Sequence, residues 1–379
     1  MRDVGPAVTT YHRDVLPEVP ADPLSLVPVC AACPKLCAPS CPVQFATGRE
    51  AAAPWRIAAT VRDAARDGWA PAALHAAASC TGCGACSHAC APGVRLPEMS
   101  RAARATAAGE STTLPAADAM AARIATSGSP RPPDRWAAEL AAGSTTTAAT
   151  ALFFGCTVQT HSPAIGRSAV ALLAAAGEVV RCAPKEKCCG AAAVDLGLSA
   201  EAAVLATSCA AQLDGAQRVV VVSPGCARMM RDEWPRLGVS GPDVVTAVEW
   251  LDLALADGAL PAPPQSGGAV TWHAPCTLVR LLGVVDPPLR VLGALGYDVR
   301  EPLASGVHTR CAGGGQGYPL VDADGSRAVA MVRANELTTL AAPVVSACPQ
   351  AERMLTSAGA PTRDILEVAA ERLLGRSTT

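Results

Sequence analysis

Eight of the seventeen cysteines in this chain of 379 residues fall in two short runs. They are Cys30-Ala-Ala-Cys33-Pro-Lys-Leu-Cys37-Ala-Pro-Ser-Cys41 and Cys80-Thr-Gly-Cys83-Gly-Ala-Cys86-Ser-His-Ala-Cys90. The second run has the spacing C-x2-C-x2-C-x3-C. Three thiolates on one tight loop grip three corners of a cubane iron-sulfur cluster, and the fourth cysteine reaches across to a neighbouring cluster. Under this crossed pattern one cluster takes Cys80, Cys83, Cys86 and Cys41, and the other takes Cys30, Cys33, Cys37 and Cys90. Gly82, Gly84 and Ala85 let the backbone wrap closely, so that N–H groups can point at the sulfurs and stabilise their negative charge. The competing chemistry is structural zinc, which prefers C-x2-C pairs separated by a longer loop.

A second group of cysteines lies further on. Cys156, Cys188, Cys189 and Cys226 offer four thiolates for one further cluster, against a reading as small buried hydrophobes. Cys276, Cys311 and Cys348 offer three, with His273 and His308 a few residues away. Cys182 and Cys209 fit neither set and read as core residues. His12, His75 and His161 read as ordinary surface or core histidines, and His88 as a modulator between two cluster cysteines.

These residues must be positioned by two kinds of structure. Glu50 to Ala78 is alanine-rich and broken at Gly68 and Pro71, and about Pro97 to Thr126 is a further helical stretch, so the N-terminal part reads as all-helical with cluster loops. Ser127-Gly-Ser-Pro-Arg-Pro-Pro133 and Gly143-Ser-Thr-Thr-Thr147 read as a linker. From about residue 148, short apolar runs alternate with helical ones. Ala151 to Gly155, Glu178 to Cys182, Arg218 to Ser223, Ala269 to His273, Asp298 to Glu301 and Pro343 to Ala347 read as buried strands, with Ser199 to Gln217 and Gly325 to Ala341 as helices. Three cysteine anchors then recur. Cys156 matches Cys276, Cys188 matches Cys311 and Cys226 matches Cys348, at offsets of 120, 123 and 122 residues, which implies two copies of one unit. The run Gly313-Gly-Gly-Gln-Gly317 lacks the lysine-hydroxyl ending of a phosphate loop and reads as a close-approach loop.

Composition excludes several classes of function. Lys plus Arg at 31 against Asp plus Glu at 33 leaves no basic footprint for nucleic acid or an anionic membrane surface. No stretch has the length of a membrane span, and Met1 to Pro20 lacks an apolar signal core. Seventeen cysteines without such a signal argue for metal or redox chemistry rather than disulfides, and for a cytoplasmic protein, docked at the inner face of a membrane only through a partner.

At these cysteines the chain resembles the CCG-domain iron-sulfur subunits, typified by those of heterodisulfide reductase, glycolate oxidase and anaerobic glycerol-3-phosphate dehydrogenase. The resemblance implies an α+β multidomain architecture. Residues 1–126 would form a helical ferredoxin-type domain with two [4Fe-4S] motifs, 127–147 a linker, 148–262 a first CCG-type α/β repeat and 263–379 a second, partly degenerate one. Cys156, Cys188-Cys189-Gly190 and Cys226 match the first copy, and Cys276, Cys311 and Cys348 the second. Each copy lacks its last cysteine, replaced by Met229 and Ala351, and the second has Cys311-Ala312-Gly313 for CCG. These losses oppose the non-cubane cluster of the heterodisulfide reductase relatives.

The implied function is an electron-transfer subunit of an oxidoreductase. It would carry two [4Fe-4S] clusters, with a third at the first repeat, between a flavoprotein dehydrogenase subunit and a quinone, carrier or thiol-disulfide acceptor. A flavin partner is inferred because the chain has no dinucleotide fingerprint of its own. The alternatives are a direct disulfide-type reductase acting at the C-terminal cysteines and a zinc-stabilised interaction protein.

Overall fold

The computed structural model of the chain describes residues 20–33, 35–131, 145, 147–183, 185–261, 263 and 266–375. His12 and most of the linker expected over 127–147 lie outside the described residues.

The N-terminal region is helical. Among the described residues seven helices run in order, α1 Val27–Ala32, α2 Pro42–Thr47, α3 Pro54–Asp67, α4 Pro71–Ala78, α5 Ala85–His88, α6 Leu96–Gly109 and α7 Pro115–Ser127. Proline opens α2, α3, α4 and α7, where the missing N–H costs nothing. Gly68 ends α3 at φ +96°, a backbone conformation that side chains resist. Ile57, Ala58, Val61 and Ala64 form the buried stripe of α3, packed with Leu74, Ala77, Met99 and Ala103 of its neighbours. Small side chains let these helices approach closely, as an aromatic-poor composition requires. The stretch read as one helix over Pro97 to Thr126 is two, because Pro115 starts a new helix after the turn at 110–114.

Beyond it the described residues form eight short strands, β1 Thr150–Phe153, β2 Val180–Arg181, β3 Arg218–Val221, β4 Asp243–Thr246, β5 Gly268–His273, β6 Tyr297–Arg300, β7 Val344–Ser346 and β8 Thr362–Asp364. They make two wholly parallel four-stranded sheets, in the orders β2-β1-β3-β4 and β6-β5-β7-β8. Helices cover the faces, so Val219, Val220 and Val221 on β3 are fully buried, each worth about 2 kcal/mol of removed apolar surface. The expected helix from Ser199 ends at Gln212, leaving a turn before β3. One hydrophobic core runs through both sheets, joining Leu152 and Val220 to Trp272 and Val345.

The strand order places the chemistry. In each sheet the chain steps one way from its first strand to the second and the other way to the third, so a crevice opens beyond the carboxyl ends of β1 and β3, and of β5 and β7. Cys156 follows β1, Cys226 follows β3, Cys276 follows β5 and Cys348 follows β7.

The helical region docks across both sheets' units through buried polar contacts. Arg101 on α6 pairs with Glu233 at 2.9 Å, and Arg228 pairs with the same carboxylate at 2.8 Å. Arg104 donates to the carbonyl oxygens of Asp195 and Gln316, touching both units from one side chain. Gln316 in turn donates to the carbonyl of Pro97 at 2.7 Å. Gly315 is required here, since a Cβ on it would sit 2.3 Å from the carbonyl oxygen of Thr81 in the cysteine loop. The glycine run is thus the place where the second unit meets that loop.

Candidate iron-sulfur centres

The structure gathers the N-terminal cysteines into two groups. Cys30 lies on α1, Cys33 caps it, Cys37 opens the turn Ala38–Ser40, and Cys90 follows α5. Burial first, and then the neighbouring thiols of Cys37, Cys90 and Cys33, push the Cys30 thiol up to about 12. Cys41 is the N-cap of α2, and burial pushes its thiol to about 12 against the N–H of Gln44, with Cys83 and Cys80 adding to the rise. Cys86 is raised by burial and by Cys80, Cys83, Cys41 and Cys37. Cys30 thus neighbours Cys33, Cys37 and Cys90, and Cys86 neighbours Cys41, Cys80 and Cys83, with Cys37 close to both.

Clustered thiols that raise one another's pKa are costly to ionise alone, and a bound cation removes that cost. Backbone N–H groups already point at the sulfurs. Lys35 donates to Cys33 Sγ at 3.4 Å, Gly82 to Cys80 Sγ at 3.3 Å and Val94 to Cys90 Sγ at 3.3 Å. In the first two the donor is two residues beyond the cysteine and has positive φ, +68° at Lys35 and +65° at Gly82. An all-sulfur donor set with amide N–H groups on the sulfurs fits iron-sulfur clusters.

The first sheet carries a third group. Cys156 begins the helix Cys156–His161, Cys188 and Cys189 precede Gly190, and Cys226 lies in the helix Pro224–Arg228. The four thiols lie near enough to perturb one another, and these neighbours with burial push Cys156, Cys188 and Cys189 well above the usual value. Gly190 N–H donates to Cys188 Sγ at 3.4 Å. Behind the group, the Glu186 carboxylate accepts from the N–H groups of Phe154 at 2.7 Å and Gly155 at 2.8 Å and from the Gln159 side chain. Burial nevertheless pushes Glu186 up to about 7. Cys209 is fully buried in the core, and Cys182 and Cys209 both line a cavity of about 310 Å³ beside Glu186.

The second sheet holds Cys276, Cys311 and Cys348. Cys276 Sγ donates to Cys311 Sγ at 3.9 Å, and Gly313 N–H donates to Cys311 Sγ at 3.2 Å. Cys311 and Cys276 share an apolar cluster with Cys83, so this set adjoins the cysteine loop of the helical region. The neighbouring Cys311 thiol first, and then Arg280, lower the Cys83 pKa against burial. Arg280 donates from Nε to the carbonyl oxygen of Cys83 at 2.7 Å and from Nη1 to the carbonyls of Val307 and Thr309. His273 accepts on Nδ1 from Arg333 Nε at 3.1 Å, and burial with the Arg333 and Arg280 charges lowers its pKa well below the usual value. The His308 ring packs edge-on against His88, centroids 5.0 Å apart.

Reading the sequence alone misses Glu186, Arg104 and Arg280. Their roles rest on partners far along the chain, and no local pattern marks them.

Comparison with known proteins agrees with this geometry. Residues 27–94 match the 4Fe-4S dicluster domain, and residues 150–231 match the cysteine-rich CCG domain. The two matched stretches are the ones that carry Cys30 to Cys90 and Cys156 to Cys226. It is 31% identical over 169 residues to a probable membrane-anchored ferredoxin of Chromohalobacter salexigens, covering 41% of this chain and 25% of that protein. It is 32% identical over 244 residues to a subunit of the dihydromethanophenazine:CoB–CoM heterodisulfide reductase of Methanosarcina barkeri, covering 60% of this chain and 59% of the relative. Over 142 residues it is 30% identical to a subunit of the anaerobic glycerol-3-phosphate dehydrogenase of Escherichia coli, covering 35% of this chain and 36% of the relative. The chain thus spans between a quarter and about three-fifths of these relatives' lengths. Among the described residues no helix is long and apolar enough to cross a membrane.

Proposed function

We propose that the chain is the electron-transfer subunit of an oxidoreductase, working between a flavoprotein dehydrogenase subunit and a quinone, carrier or thiol-disulfide acceptor. The carrying observation is the pair of four-thiol groups in the helical region, with amide N–H groups on their sulfurs. In this reading Cys30, Cys33, Cys37 and Cys90 hold one [4Fe-4S] cluster, and Cys41, Cys80, Cys83 and Cys86 hold the second. Cys156, Cys188, Cys189 and Cys226 hold a third. When bound, such clusters accept and release single electrons.

The chain's own residues do the rest. Leu36 is exposed between half-buried Cys33 and Cys37, so the first group is the one open to a donor. Cys83 and Cys86 are buried, which shields the second group from water. The two α/β units, 148–262 and 263–379, are two copies of one CCG-type unit, the second having lost a ligand; their identical strand order supports this. The protein works in the cytoplasm, at the inner face of a membrane when its partner sits there.

Anaerobic purification with iron and acid-labile sulfide counted together, and EPR of the reduced protein, tests the reading. About twelve irons and twelve sulfides are expected, eight of each if only the helical region is loaded. A folded, colourless protein that carries zinc and no sulfide would overturn it.

A further inference from the structure

The cysteine set of the second α/β unit has three thiols where that of the first has four, and two of the three face each other. Cys276 Sγ lies 3.9 Å from Cys311 Sγ, and both pack in one cluster with Cys83. The three cysteines bridge the second unit and the cysteine loop of the helical region within one apolar cluster, which also holds Val43, Ala52, Tyr318 and Val329. Cys348 is the outlier and carries no thiol hydrogen bond of this kind among the described residues.

We infer that Cys276 and Cys311 are a redox-active dithiol, which closes to a disulfide and opens again with electrons from the iron-sulfur centre at Cys83. The inference rests on the proposed function for its electron source and narrows the acceptor to thiol-disulfide chemistry. Closing the pair brings the sulfurs from 3.9 Å to the ~2.05 Å of a covalent bond. On reduction the S–S bond breaks, two electrons arrive one at a time from the reduced iron-sulfur centre, and two protons end on the thiols. Oxidation reverses each of these steps. Cys311 is 3% exposed, whereas Cys276 is only partly buried, so Cys276 is the sulfur that solvent protons and an external disulfide can reach.

The local structure suits both states of the pair. Gly313 N–H on Cys311 Sγ stabilises negative charge on the inner sulfur. The Arg280 guanidinium, 2% exposed and with Nη2 unpartnered, places a buried positive charge beside Cys83. A positive charge beside a thiol favours the thiolate, the form that attacks a disulfide. A fourth thiol, which would complete a ligand set within the unit, is absent at Ala312 and at Ala351.

The test uses the anaerobically purified, iron-loaded protein. It is reduced with dithionite, oxidised anaerobically with ferricyanide, acid-quenched and alkylated with N-ethylmaleimide before peptide mapping. The expected result is a Cys276–Cys311 linked peptide in the oxidised protein only, with Cys209 alkylated in both samples. In a dithionite titration, Cys276→Ser and Cys311→Ser should each take up about two electrons fewer than the unaltered protein, with iron and sulfide unchanged. Alkylation of both cysteines in the oxidised, iron-loaded protein overturns the pair, as does loss of about four irons in Cys276→Ser, which would make it a cluster ligand. A linked pair in protein that carries no iron or sulfide would instead overturn the cluster reading and leave the dithiol standing.

Discussion

Arg280 Nε donates to the carbonyl oxygen of Cys83 at 2.7 Å, across a sequence separation of 197 residues. The guanidinium is buried, it also donates to the carbonyls of Val307 and Thr309, and no carboxylate is bonded to it among the described residues. A buried charge without a carboxylate needs another anion, and the sulfur set around Cys83 is the one at hand. Arg280→Gln should therefore lower the midpoint potential of the centre at Cys83, because a nearby positive charge favours the added electron. A unit charge ~10 Å away at an effective dielectric of ~20 is worth about 2 kcal/mol, or several tens of millivolts. EPR-monitored redox titration measures it. Arg280→Lys should restore most of the potential, and no change in Arg280→Gln would refute the assignment.

Cysteine substitutions separate the two N-terminal groups. Cys30→Ser and Cys41→Ser should each cost about four irons, and the double variant about eight, because the two belong to different groups. Cys209→Ser should cost none. Iron and sulfide analysis decides, and equal loss in Cys209→Ser would remove the ligand assignment.

Glu233 ties the helical region to the first α/β unit through Arg101 and Arg228. Burial alone would raise its carboxyl, yet the two arginines hold it down to about 2, against an ordinary value of 4.5. A depressed carboxylate contributes stability that is present above the unfolded value and lost as pH falls toward the folded one. Glu233→Gln should thus cost about 3 kcal/mol at pH 7. The gap between the two proteins should shrink as pH drops from about 4.5 to about 2. Urea unfolding at a series of pH values checks this, and a gap independent of pH would show that the charge is not responsible.

Gly315 faces the carbonyl oxygen of Thr81 with no room for a methyl group. Gly315→Ala should push the cysteine loop away from the second unit and destabilise the protein by about 1 to 3 kcal/mol. The EPR signal of the reduced protein should broaden or shift while the iron count holds. A Gly359→Ala control, at a glycine with nothing near its would-be Cβ, tests only backbone strain. Equal behaviour of the two would dismiss the contact.

How far the sequence discloses this structure depends on the range of the interaction. Cysteine spacing marks the thiols, since ligands to one metal centre cluster locally. Strands such as β3 are legible because a parallel strand is buried on both faces and reads as an apolar run. β4 and β8 escape notice: Asp243-Val-Val-Thr246 and Thr362-Arg-Asp364 carry few apolar residues, and their strand character comes from pairing with β3 and β7. The break between α6 and α7 is written in Pro115, but an alanine-rich composition blurs it. Glu186 has no local signal at all; it becomes a site residue only when folding brings it to the amides of Phe154 and Gly155.

The reach of Arg104 bears on how the molecule is assembled. One guanidinium grips carbonyls 91 and 212 residues downstream, so its seat does not exist until both sheets are built. Contacts of such span form late, because the entropy of closing long loops must be met before they are rewarded. Although the helical third leaves the ribosome ahead of both sheets and has a core of its own, its docking through Arg104 therefore waits for them.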